Sequence, residues 1–384
     1  MLVRTSRQEL LSIATQVAKA VPDKHADKEL CGIHMEADAG RGLVTLTATS
    51  HEVAIRSSVQ ATVKKSGSAV IDDGFLLGIL AKMPEDVVDF AYMDNDRMRV
   101  RSGKTVFDLS ALSGEMYPMP ELPYPEDAVA VTGIPSLSKR AVFAAASDSA
   151  NPAINCVKLT LGNDGLKADA CNGMCLAEAQ GDKDCKGQTS FLLPVSSLAM
   201  LASISRDSDV YEMGLTGSGV VFWDGTLLFS ARLMNSGYPD TERMFSAVAH
   251  QFVAQVQAEE LAEAIGSVSV VEDKDARLEM RWQAHGLVLR CVSQYGESQK
   301  AIPAILASVP ETPFYYNGEK LRECLRTLKG AVTLSCSQDG HMVIEAKEFK
   351  YLQTALRPSK PTAAPAPKKE PAPKKAKAPR KKAA

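Results

Sequence analysis

No apolar run in this 384-residue chain approaches the roughly 18 residues that a membrane-spanning helix requires. The opening residues, Met1-Leu2-Val3-Arg4-Thr5-Ser6, also lack the apolar centre of a secretory leader. A cytoplasmic protein is expected. Cysteine is too sparse for a disulfide scaffold: eight residues (Cys31, Cys156, Cys171, Cys175, Cys185, Cys291, Cys324, Cys336), several in apolar strand patterns, suit reduced core thiols. Cys171-x3-Cys175 with Cys185 lacks the spacing of a zinc finger and has no histidine nearby in sequence, so neither a metal nor a cofactor is expected. No Gly-rich phosphate loop, Gly-x-Ser-x-Gly elbow or His-Glu-x-x-His pair occurs, and the six histidines (His25, His34, His51, His250, His285, His341) are scattered along the chain. The expectation is a protein that is not an enzyme.

What is present is a threefold repetition at about 122 residues. The apolar runs Phe75–Leu80, Val195–Leu201 and Gly318–Leu325 align through Leu76, Leu198 and Leu321, which are 122 and 123 residues apart. Gly42-Leu43-Val44-Thr45-Leu46, Gly165-Leu166-Lys167-Ala168-Asp169 and Gly286-Leu287-Val288-Leu289-Arg290 each place a turn before a strand, at steps of 123 and 121. Phe107, Phe229 and Tyr351 lie in period-2 patterns 122 apart, and Tyr117-Pro118 and Tyr238-Pro239 close the first two units. A repeat this long is a whole domain. Units at 1–122, 128–246 and 250–358 follow, each large enough to bury a core, with residues around Ser113–Asp127 and Asn235–His250 as linkers.

Within each unit the pattern reads helix, strands, helix, strands. Ser6 followed by Glu9 is a capping-box signature ahead of Leu10, Leu11, Ile13, Ala14, Val17, Ala18 and Val21 at helical spacing. Stretches starting at Ser138 (Ala141, Val142, Ala144, Ala145) and Ala258 (Leu261, Ala262, Ile265, Val268) repeat the theme. Alternating runs at Leu43–Thr47, Val53–Val59, Met98–Leu109 and Val220–Leu233 read as strands. Strands outnumber helices, so each unit is expected to be α+β, with two helices packed on antiparallel sheets and their outer faces wet.

Charge is divided along the chain. The net charge is −2, but residues 359–384 hold eight Lys, one Arg and one Glu, or +8, which leaves −10 on the first 358. That Lys/Pro/Ala-rich tail has nothing to bury and is expected to be disordered, with a reach of roughly 3 Å per residue.

The order of elements, the repeat and three strings make residues 1 to about 358 resemble the bacterial DNA polymerase III beta subunits, the sliding clamps. The strings are Arg101-Ser102-Gly103-Lys104-Thr105-Val106-Phe107-Asp108-Leu109-Ser110-Ala111-Leu112, Asn172-Gly173-Met174-Cys175-Leu176-Ala177 and Gly237-Tyr238-Pro239-Asp240-Thr241-Glu242-Arg243. The tail lies outside the resemblance. It implies a head-to-tail homodimer: six domains in a ring, helices lining the hole, sheets outside. It also implies a processivity factor without catalysis of its own, nucleoid-associated, whose partners are double-stranded DNA without sequence preference, DNA polymerase and a clamp loader that dock through short peptides. In such rings the first unit of one chain meets the third of the other, which brings Phe107 and Leu109 against Val270 and Val271. Ordinary cores would use the same four residues, and both readings stand.

Holding DNA by topology calls for diffuse phosphate attraction. Candidates on the wet helical faces are Arg7, Lys19, Lys24, Lys82, Lys139, Arg140, Arg206, Lys320, Arg322, Arg326 and Lys329, joined by Lys374, Lys375, Lys381 and Lys382 of the tail. The resemblance carries a partner-peptide groove onto Ile154, Cys171, Gly173, Met174, Cys175, Leu176, Pro239, Arg243 and Met244. It is completed by Leu352, Gln353, Thr354, Ala355, Leu356 and Arg357. Where many relatives read Thr-Asp-Gly-His-Arg-Leu this chain has Cys171-Asn172-Gly173-Met174-Cys175-Leu176, so the peptide preference does not carry over. Asn151-Pro152-Ala153 and the acidic Glu259, Glu260 and Glu263 imply a weak pore grip. The alternative reading is a non-replicative paralogue that binds or bridges DNA mainly through its tail.

Overall fold

A computed structural model of the chain describes residues 1–93, 95–124, 127–185, 187–271 and 277–357. The tail and its candidates Lys374, Lys375, Lys381 and Lys382 lie outside the described residues.

Seven helices run through the described chain: α1 (Arg7–Val17), α2 (Asp73–Lys82), α3 (Ile134–Ala141), α4 (Val195–Ile204), α5 (Thr241–Ser246), α6 (Ala258–Val268) and α7 (Gly318–Leu325). Six form three pairs, α1 with α2, α3 with α4 and α6 with α7. Side-chain caps start several of them. The Ser6 hydroxyl accepts from Glu9 N–H at 3.4 Å, Asp72 from Phe75 N–H at 2.9 Å and Asn317 from Lys320 N–H at 2.9 Å. Each helix then buries one stripe: Leu10, Ile13, Ala14 and Val17 on α1, and Leu261, Ala262, Ile265 and Val268 on α6.

Two expectations are corrected. The helix expected from Ser138 begins four residues earlier, at Ile134, and residues 142–144 continue it only as a 3-10 turn. Gly133, at φ +69, turns the chain into it, and Pro135 in the first turn sacrifices no hydrogen bond because those N–H groups have no helical partner. The second linker is not plain coil. Asp240 caps α5 by accepting from Arg243 N–H at 3.0 Å, and Phe245 is buried.

All strand pairings are antiparallel. The first junction between units is made by one long strand, Val53–Lys65. Its first half pairs with Leu227–Arg232, with Ile55 opposite Phe229, and its second half pairs with Leu2–Ser6. At the second junction Cys175–Gln180 pairs with Phe349–Gln353, with Ala177 opposite Tyr351. Sheets of 13 and nine strands therefore cross unit boundaries. Among the described strands that pair on one side only are Thr105–Ser110, paired with Arg97–Ser102, and Gly296–Pro303, paired with Gly286–Ser293.

Candidate partner groove and DNA-facing surface

Between the second and third units a small apolar cluster stands apart from the main core. It consists of Cys171, Leu176, Phe245, Val248, Val343 and Leu352, with Ile154 and Tyr238 packed on it. Of the expected groove residues, it brings together Ile154, Cys171, Leu176 and Leu352. Gly173, Met174, Arg243 and Met244 are exposed around it, with Pro239 half-buried. The Gly173 backbone at φ +88 makes the turn that presents Met174. Asn172 Oδ1 accepts from the N–H groups of Met174 and Cys175 at 3.0 and 2.9 Å, and Thr354 donates both its N–H and its hydroxyl to the Met174 carbonyl at 2.9 and 3.1 Å. The last strand of the third unit thus pins a turn of the second.

Other expected residues point elsewhere. Cys175 faces the main core, its Sγ 3.4 Å from Asn172 Oδ1 and 3.9 Å from the Ala144 carbonyl, because neighbours on a strand face opposite sides and Leu176 takes the groove side. Gln353 is buried, donating to the Asn317 carbonyl at 3.0 Å. Ala355 packs on the main core, Leu356 N–H donates to the Tyr315 carbonyl at 2.7 Å, and Arg357 is exposed. Phe245, Val248, Val343 and Tyr238 were missed. The available signal was Asp240 as a cap, followed by apolar residues at Phe245 and Val248, three apart.

Beneath the linker, fully buried Asp169 holds the region together. Thr241 Oγ1 donates to its Oδ2 at 3.3 Å, Tyr238 Oη donates to its backbone carbonyl at 3.1 Å, and Lys167 Nζ lies 3.8 Å away. Burial pushes the Asp169 carboxyl up to about 6, with Lys167 pulling the other way. The unfolded value is about 3.9. The native state therefore holds this proton more tightly, and the associated stability is present below about pH 4 and lost as pH rises through about 6. At pH 7.5 the ionised group costs at most about 3 kcal/mol. Asp169→Asn is expected to raise the unfolding free energy at pH 7.5 by about 1–2 kcal/mol and to flatten the slope between pH 4 and 6. Urea titrations across that range check it, and a destabilised variant at pH 7.5 contradicts it.

Four of the helical cations are tied into the structure. Arg7 donates to the Leu80 carbonyl at 3.1 Å, joining α1 to α2, and Arg140 donates to the Gln180 carbonyl at 2.6 Å across to the second junction. Lys320 donates to the Phe143 carbonyl at 2.9 Å and meets Glu323 at 2.8 Å, and the Arg322 guanidinium lies over Gly266 of α6, where even a Cβ would collide with it. Lys19, Lys24, Lys82, Lys139, Arg206, Arg326 and Lys329 are exposed. All of these except Lys24 sit in or just after the last turn of a helix, where positive charge also offsets the helix dipole. At the expected seam, Phe107 and Leu109 are half-buried against the main core, Val270 is 82% exposed and Val271 half-buried.

The family model for the DNA polymerase III beta subunit, N-terminal domain, matches residues 1–123. The beta sliding clamps of Synechococcus elongatus and Bacillus subtilis are each 25% identical to the chain, over 336 and 346 residues. These alignments cover 84% and 85% of this chain and 88% and 90% of those proteins. Over most of its length the chain is similar to the beta sliding clamps. Its fold is that of the solved clamp from Bacillus subtilis (TM-score 0.84, 21% identity, 93% of this chain and 99% of that one). The beta subunit of Streptococcus pyogenes superposes as well (TM-score 0.85, 18% identity, 93% and 100%). The three repeated α+β units expected from the 122-residue period agree with that fold.

Proposed function

We propose that two copies of the chain close head to tail into a ring that encircles duplex DNA and tethers a polymerase and other DNA-processing proteins to it. Residues 1–122, 128–246 and 250–358 are the three domains of each protomer. One observation carries the reading: the edge strands repeat a pairing that the chain already makes twice. The tight turns Ser50 to Val53, Asn172 to Cys175 and Ser293 to Gly296 are counterparts at steps of 122 and 121. Two residues past the first two turns stand Ile55, opposite Phe229, and Ala177, opposite Tyr351. Two past the third stands Ser298, on a strand whose outer edge is free, and the remaining member of the Phe107, Phe229, Tyr351 series is Phe107. Pairing Phe107 with Ser298 of a second copy satisfies both edges, and doing so twice closes the ring.

The duplex would face the helix pairs and the six exposed cations at their ends, a low density of positive charge suited to sliding. Polymerase and loader peptides would insert at the Ile154, Cys171, Leu176 and Leu352 cluster, with Met174 and Met244 as deformable walls. A ring of this kind acts in the cytoplasm, at the nucleoid.

The decisive experiment loads the protein on nicked circular DNA, washes at high salt and then linearises the DNA. The link is expected to survive the wash and to disappear on cutting. Protein that stays on cut DNA, or leaves intact circles at high salt, contradicts a topological hold.

A further inference from the structure

The histidines are scattered in sequence, yet two of the six meet in space. His25 and His51 come from different segments, the loop before the strand Ile33–Asp38 and the turn between Leu43–Thr49 and Val53–Lys65. Their rings lie 5.6 Å apart at 62°. Asp27 completes the group: one donor atom from each residue lies within 4.8 Å of the other two, and His25 Nδ1 is 3.8 Å from Asp27 Oδ2.

We propose that His25, Asp27 and His51 form a binding site for a divalent transition metal, zinc above all, that staples the loop to the turn. Two imidazoles and a carboxylate suit zinc among the first-row ions, with water in the fourth position. Bond lengths of about 2.0–2.2 Å put tetrahedral donors roughly 3.3–3.5 Å apart. The group therefore needs to contract by up to about 1.5 Å, within reach of side-chain rotation.

Three features favour a site over a chance meeting. His25 Nδ1 accepts a hydrogen bond from Asp27 N–H at 3.1 Å, which holds the ring against the loop, and a metal bound at Nδ1 would take that lone pair in place of the N–H. His51 holds φ +67, a left-handed backbone uncommon outside glycine, and its N–H is fixed to Thr49 Oγ1 at 3.1 Å. Cys31 gathers the other segment, its Sγ 3.9 Å from the carbonyls of both His25 and Asp27. All three donor residues are exposed, so an ion reaches them without an entry path. The site is independent of ring formation and of DNA.

The test uses the full-length chain without an affinity tag, stripped with chelator and titrated with zinc chloride by calorimetry. Wild type is expected to bind one ion saturably at micromolar concentration. His25→Ala and His51→Ala should each weaken it at least tenfold, and His285→Ala, which removes an exposed histidine elsewhere, should leave it unchanged. A second readout follows the loop itself: zinc should slow tryptic cleavage after Lys24 and Lys28 several-fold in wild type and not in His51→Ala. Saturable binding that survives both alanine variants, no saturable binding by wild type, or cleavage indifferent to zinc overturns the site.

Discussion

If the proposed ring forms, Val106→Pro is expected to turn its dimer into monomers at concentrations where the wild type remains paired, raising the dissociation constant about 10- to 100-fold. Ser102 and Thr105 flank a two-residue turn, so the narrow hydrogen-bonded pairs of this hairpin fall at Ser102 with Thr105, Val100 with Phe107 and Met98 with Leu109. The amides of Val106, Asp108 and Ser110 consequently point to the free edge. Proline at position 106 removes one of those donors and sets a ring where the partner strand must approach, while the bonds to Arg97–Ser102 remain. Losing the bond accounts for about 0.5–1.5 kcal/mol, and the blocked approach adds to it. Tenfold corresponds to about 1.4 kcal/mol. The Val106 side chain is 48% exposed, so little core is lost. Sedimentation over a dilution series measures the effect, with Val106→Thr as the variant that stays dimeric. An unchanged dissociation constant for Val106→Pro, with the fold intact by circular dichroism, rules out this edge as the seam.

Deleting residues 359–384 should cut affinity for a short linear duplex by orders of magnitude at low salt and should flatten its salt dependence. The segment carries nine cations against one Glu on a body of net charge −10. Were about six to meet phosphates, the slope of log K against log salt would fall by about 5, since each contact contributes about 0.9. On the body, Arg7, Arg140, Lys320 and Arg322 are committed to carbonyls, a carboxylate and a glycine surface, which leaves the seven exposed candidates set against its net charge of −10. Retention of the truncated protein on closed circles is the companion measurement. If retention persists, encirclement is independent of the tail. If it is lost together with duplex affinity, the DNA-bridging paralogue is the better description. An unaltered salt slope contradicts any role of the tail in DNA association.

The architecture was legible because the repeat is carried by residues with strict local requirements. Gly42 and Gly165 adopt φ +64 and +98 at matching turns, and Phe229 and Tyr351 are fully buried at matching strand positions. The finer assignment of the groove was not. A period of two says that Cys175 and Leu176 face opposite ways but not which of them faces the partner, since both sides of that strand are buried. The helical cations misled for another reason. Arg140 and Lys320 reach carbonyls 40 and 177 residues away, and no local pattern distinguishes an arginine that stitches two elements from one that stays in water. The short helix at Thr241 hid within a stretch whose proline and glycine content reads as linker, although Asp240 marked its start. His25 and His51 could be joined only once the fold brought a loop and a turn together.

One consequence follows from the strand Val53–Lys65, which runs unbroken through two sheets. Both junctions inside a protomer use the same backbone bonding as the outer edges, yet each is also backed by a continuous polypeptide, so a ruptured pair there stays at high effective concentration and recloses. In the proposed ring, the contact between Thr105–Ser110 and the other copy's Gly296–Pro303 would have no such leash. The two latches of the ring would therefore give way first under strain, wherever a loader grips it, because covalent connectivity rather than bond strength chooses the gate.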